Sequence, residues 1–137
     1  MNFSIKKMNP IWVILSYSCI IICGDKMCIL WCMSYLGGLF VIDYWFISIP
    51  AFTGIFILGW EVISPNKFSF TKRIVAIGLL YAGFIAYFLR SGASYNYPTL
   101  TLLVPQISIG LFIFLSILFV VATFQKKKHN KKNKRIQ

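Results

Sequence analysis

Leu100-Thr101-Leu102-Leu103-Val104-Pro105-Gln106-Ile107-Ser108-Ile109-Gly110-Leu111-Phe112-Ile113-Phe114-Leu115-Ser116-Ile117-Leu118-Phe119-Val120-Val121-Ala122-Thr123-Phe124 decides the fold of this chain. The stretch contains no Asp, Glu, Lys or Arg and exceeds the roughly 20 residues that a helix needs to cross a bilayer. Lys126, Lys127, Lys128, Lys131, Lys132, Lys134 and Arg135 follow it at once. Moving outward from this segment, three more apolar stretches occupy residues 9–31, 39–60 and 74–89. Of the 137 residues, 58% are hydrophobic, 18% aromatic and only 12% charged. A soluble domain carries about 25% charged residues, and so small a chain has too much surface to cover with half of that. The excess apolar surface therefore faces lipid, which excludes a soluble enzyme and a nucleic-acid-binding domain of ordinary type. The reading is an all-α, polytopic membrane helix bundle of four spans (9–31, 39–60, 74–89 and 100–124) with a disordered basic tail at 125–137.

Charge orients the bundle. The net charge is +11, and the only acids are Asp25, Asp43 and Glu61. Four spans place Lys6 and Lys7, then Lys67, Lys72 and Arg73, then the tail on one side, as the positive-inside rule requires. That side is read as the cytoplasm, and the expected home is a cell (inner) membrane. A five-span rival turns at Gly24-Asp25-Lys26 and leaves a first helix of about 16 residues; it puts either the tail or the N-terminal lysines on the wrong side. Trp12 and Trp31 lie roughly 28 Å apart along a helix, and Trp45 and Trp60 roughly 22 Å, separations that suit rings anchored at the two interfaces. Without a small-x-small cleavage site after its apolar run, the first segment reads as an uncleaved span.

Ionisable residues in spans are costly and are functional candidates for that reason. The four-span arrangement gathers Asp25, Lys26, Asp43 and Arg90 near the outer face, where carboxylates facing an arginine can hold a cation, relay a proton or grip an anionic headgroup. The alternative is four interfacial side chains snorkelling into water. If the site is real, Asp43 contacts Arg90, Asp25 points into the same pocket, and Asp43→Asn disables the protein while Glu61→Gln, alone at the opposite end, does not.

Cys19, Cys23, Cys28 and Cys32 form no Cys-x-x-Cys, and the one histidine, His129, is in the tail, so neither a thioredoxin-type nor a metal site is indicated. No cofactor is implied. The pairs Cys19/Cys32 and Cys23/Cys28 are symmetric about the Asp25–Lys26 bond. A chain reversal there would set each pair across a hairpin and permit disulfides; the continuous helix of the four-span reading leaves them as small apolar residues. Gly78, Ala82 and Ala86 make a small-xxx-small stripe suited to close helix packing. Pro50 and Pro105 are expected to kink spans two and four. The tail is expected to meet anionic headgroups, and the lack of interleaved aromatic residues argues against nucleic acid.

Two family likenesses appear in the second half. Gly54-Ile55-Phe56-Ile57-Leu58-Gly59-Trp60, the basic turn to Arg73, and Tyr95-Asn96-Tyr97-Pro98 leading to Leu111-Phe112 resemble the C-terminal part of the family-3 membrane acyltransferases that modify envelope sugars. Catalysis in that family depends on an N-terminal helix that includes a histidine, which this chain lacks within its spans; the likeness implies acyl transfer only if a partner chain supplies that helix. Tyr87-Phe88-Leu89-Arg90-Ser91-Gly92-Ala93-Ser94 followed by Pro105 resembles the third-to-fourth-span junction of drug/metabolite-type transporters, which implies a half-sized, oligomeric transporter. The residues themselves favour a non-catalytic protein acting through contacts in the bilayer, as an accessory, helper or immunity-type protein, with a membrane-protein partner or a second copy of itself. An oligomeric transporter or flippase for an envelope lipid, sugar or cation is the alternative.

Overall fold

The computed structural model describes residues 8–23, 28–64, 69–89 and 98–133. In chain order the elements are helix α1 (Ile11–Ser18), strands β1 (Ile21–Cys23) and β2 (Cys28–Leu30), helix α2 (Trp31–Gly38), a 3-10 turn (Ile42–Tyr44), and helices α3 (Trp45–Ile63), α4 (Phe70–Leu89), α5 (Pro98–Thr101) and α6 (Leu103–Asn133). The chain is an all-α membrane bundle. Three of its helical segments, Ile42–Ile63, Phe70–Leu89 and Leu103–Gln125, are long and apolar enough to cross a bilayer.

The expected first span, 9–31, is not one helix. Helix α1 stops at Ser18, and Ile20-Ile21-Ile22 enters an antiparallel pairing of Ile21 with Leu30, Ile22 with Ile29 and Cys23 with Cys28. Three consecutive β-branched residues restrict χ1 and favour the pleated backbone. The reversal falls where the five-span rival put its turn, yet neither α1 nor α2, at 8 residues each, spans anything.

Strands in hydrocarbon need partners for every backbone group. The free edge of β1 finds them on the far part of the chain. The Ile21 N–H donates to Ser108 Oγ (3.0 Å), the Cys23 N–H donates to Thr99 Oγ1 (2.8 Å), and the Thr99 hydroxyl donates back to the Cys23 carbonyl (2.9 Å). Ile22 faces β2 and Ile21 and Cys23 face away, so these hydroxyls cap the side that pairing with β2 leaves open.

Small residues bring α3 and α4 together. A Cβ on Gly54 would lie 2.9 Å from the Ala76 carbonyl oxygen, and one on Gly83 would lie 2.9 Å from that of Ile47. The packed face of α4 is therefore Arg73, Ala76, Ile77, Leu80 and Gly83. The stripe expected from spacing is displaced from it: Gly78 and Ala82 are exposed, Ala86 is half-buried, and nothing lies within 4 Å of a Cβ on Gly78. A four-residue interval drifts around a 3.6-residue helix, so such a stripe need not follow the buried face.

Aromatic rings join the remaining elements. Tyr17 of α1 meets Phe112 of α6 at 5.1 Å between centroids and Trp31 at 6.2 Å, and Trp31 meets Phe84 (5.7 Å) and Tyr87 (4.9 Å) of α4. Trp31 is thus wholly buried rather than an interfacial anchor, whereas Trp12, Trp45 and Trp60 are about half exposed. Tyr81 and Ser116 share a hydrogen bond of 2.7 Å between α4 and α6.

The ends of the spans also differ from expectation. Pro105 lies in the first turn of α6, and the helical run breaks one turn before it, with α5 ending at Thr101 and a bend at Leu102, where the proline ring crowds the carbonyl of position i−4; Pro50 sits inside α3. The helix of α6 does not give way to an irregular tail at 125 but continues to Asn133. Extending an existing helix avoids nucleation, lysine is a good helix former, and cations suit the C-terminal dipole.

Candidate functional site

The bundle has two chemically distinct ends. Going along α6, Thr99 and Ser108 hold the hairpin, Phe112 meets Tyr17, Ser116 meets Tyr81, and Phe124 meets Phe70 of α4 at 4.7 Å. From Ser108 to Phe124 is roughly 24 Å of helix. The hairpin end carries the disulfide; the opposite, basic end carries the α3–α4 turn and the lysine-rich end of α6.

At the basic end, α3 delivers Glu61 and α4 delivers Arg73 onto facing buried surfaces. Arg73 Nη2 lies 2.6 Å from Glu61 Oε1, and the two residues are only 8% and 4% exposed. A charge this deep is stable only when paired, so the pair ties the last turn of α3 to the first turn of α4. Arg73 Nε has no acceptor among the described residues. Chemically the contact neutralises both groups, and the carboxylate is committed to a guanidinium rather than presented as a base.

Of the expected charge cluster, Asp43 alone lies among the described residues. Asp25, Lys26 and Arg90 lie outside the described residues, and with them the predicted Asp43–Arg90 contact. Asp43 is exposed in the 3-10 turn that leads into α3, where a carboxylate complements the positive end of that helix. Among the described residues Glu61, to which the sequence alone assigned no role, is the buried acid. Its signal was available: Glu61 lies two residues before the end of α3 and Arg73 three residues after the start of α4, and antiparallel helices joined by a short connection bring such positions to one level.

Of the four cysteines, Cys23 and Cys28 are joined in a disulfide across the last described rung of the hairpin, with Cα atoms 4.0 Å apart. Cys19 and Cys32 are free thiols, the first exposed and the second half-buried. Among the described residues no group of three or more His, Cys, Asp or Glu side chains converges as a metal site. The hydroxyls that pin the hairpin and α4 to α6 (Thr99, Ser108, Ser116) were not singled out from the sequence. Each is one polar residue in an apolar run, and nothing local distinguishes it from a solvated one. Comparison of the chain with family models, with curated proteins and with solved structures returns no match.

Proposed function

We propose that this chain is a non-catalytic multi-pass membrane protein that acts through contacts made within the bilayer, as an accessory, helper or immunity-type protein. The observation that carries this reading is the outer surface of the spans. Only 33%, 28% and 28% of the three spanning segments is buried inside the bundle, and the remainder presents large apolar side chains such as Phe56, Ile107, Phe114 and Ile117. Three polar contacts of the interior, in contrast, serve the bundle itself: Glu61 on Arg73, Thr99 on Cys23, Tyr81 on Ser116. Such a molecule has ample surface for another membrane protein.

The orientation we propose has the basic end in the cytoplasm. Two independent features support it. Basic flanks stay cytoplasmic, and a disulfide persists on the oxidising side of a membrane; here they occupy opposite ends. Helix α1 and strand β1 together cover roughly 22 Å. Counted as a crossing, they give four passes and put both basic termini on one side.

The test is site-specific photocrosslinking from Phe56 and Ile107 in native membranes. A discrete adduct with one other membrane protein, or with a second copy, is the expected outcome. Lipid adducts alone, with substrate transport by the purified chain in vesicles, would favour the second reading, an oligomeric transporter or flippase. That reading has one feature in its support: Pro50 inside α3 leaves a backbone carbonyl one turn earlier without its helical donor.

A further inference from the structure

We infer that the basic end of the bundle is a docking surface for anionic phospholipid headgroups, centred on the helical continuation of α6 beyond Gln125. The apolar part of α6 ends at Gln125, yet the helix runs unbroken to Asn133. At 1.5 Å per residue, Lys126, Lys127 and Lys128 fall within about 5 Å of the apolar boundary and Lys131 and Lys132 within about 10 Å. The headgroup layer of one leaflet is roughly 5–8 Å thick, so the first three lysines occupy its depth. The next two remain within about one Debye length of it. Lys126, Lys127 and Lys128 are consecutive in the chain, so the charge is concentrated at one depth along the helix axis. The fit is to a layer of headgroups.

Three further features favour this partner. The Phe70–Phe124 ring contact holds the first turn of α4, which carries exposed Lys72, against the end of α6, so two basic segments share one depth. Glu61, an acid at the same end, is paired with Arg73. Lys127/Lys131 and Lys128/Lys132 are like-charge pairs at i,i+4, which oppose the helix; anionic headgroups around them relieve that repulsion. The segment carries no aromatic residue on which bases would stack, which sets RNA behind lipid as its occupant.

The experiment uses the full chain in nanodiscs of phosphatidylcholine containing spin-labelled phosphatidylglycerol or spin-labelled phosphatidylcholine, and reads the fraction of each lipid immobilised by the protein. A lysine near the surface contributes roughly a fivefold preference for anionic lipid. The wild-type chain is expected to favour phosphatidylglycerol by at least that factor. The preference should fall towards unity in Lys126→Gln/Lys127→Gln/Lys128→Gln and, in the unaltered protein, as salt is raised from about 0.1 M to 1 M, where screening shortens to about 3 Å. Equal immobilisation of the two lipids by the wild type would overturn the proposal. So would a preference that survives both the triple substitution and high salt, or one that single-stranded RNA abolishes at equal charge while added soluble polyphosphate does not.

Discussion

Glu61 and Arg73 each give up hydration to sit on the α3–α4 interface, and each is tolerable there because of the other. Removing one partner leaves a buried charge without compensation, which costs about 3–5 kcal/mol, whereas replacing both with apolar groups of similar volume is often neutral. Glu61→Gln and Arg73→Met are therefore expected to lose stability of that order in reversible unfolding from mixed micelles. Glu61→Leu/Arg73→Met should recover most of the loss. If the single variants matched the wild type, the pair would be no more than a surface contact. Asp43 is the contrasting residue. Exposed ahead of α3, it is positioned to interact with a helix end, an effect of about 0.3–1 kcal/mol. The sequence identified both acids, but burial, which ranks them, depends on which face of each helix meets another.

The pairing of α3 with α4 turns on where small residues face. Gly83→Ala would push a methyl to 2.9 Å from the Ile47 carbonyl oxygen, and Gly54→Ala would do the same to that of Ala76. Neither backbone can yield as a flexible side chain would, and overpacking of this kind costs about 1–3 kcal/mol. Gly78→Ala meets nothing within 4 Å and should be neutral or stabilising, since alanine is favoured over glycine in a helix by about 1 kcal/mol. Unfolding midpoints of the three variants check this directly; equal loss at Gly78 and Gly83 would mean that α4 presents a different face to α3. The hairpin shows the same dependence on neighbours. Its strands are three residues each, too short to persist alone in water or lipid, and its outer edge is completed by Thr99 and Ser108.

At the scale of the whole molecule, the hairpin and its disulfide mark one end and the lysine-rich helix the other. In a Cys19→Ser/Cys32→Ser background, Ser69→Cys and Phe40→Cys are expected to react with a membrane-impermeant maleimide from opposite sides. Ser69 is exposed just ahead of α4 at the basic end, and Phe40 is 90% exposed beside α2, which continues from the hairpin. In intact cells only Phe40→Cys should label. Labelling of both from the same side would remove the bipolar arrangement and the proposed orientation with it.

What the sequence by itself determined is the solvent: segments such as 100–124 are apolar for so long, and the basic residues so segregated, that the chain belongs in a bilayer as a helical bundle. Those properties are sums over many residues, and local chemistry suffices to read them. The tertiary structure alone decided that Ile21–Cys23 and Cys28–Leu30 pair as antiparallel strands and are not the middle of a span. Ile20-Ile21-Ile22 is as apolar as any helix in lipid requires, and a strand there is affordable only because Thr99 and Ser108, 76 and 87 positions further on, satisfy its edge. It also decided that Glu61 meets Arg73 and that Gly83 and not Gly78 is the close contact. Pairing partners and helix faces are set by elements far apart in the chain, and no local period encodes them.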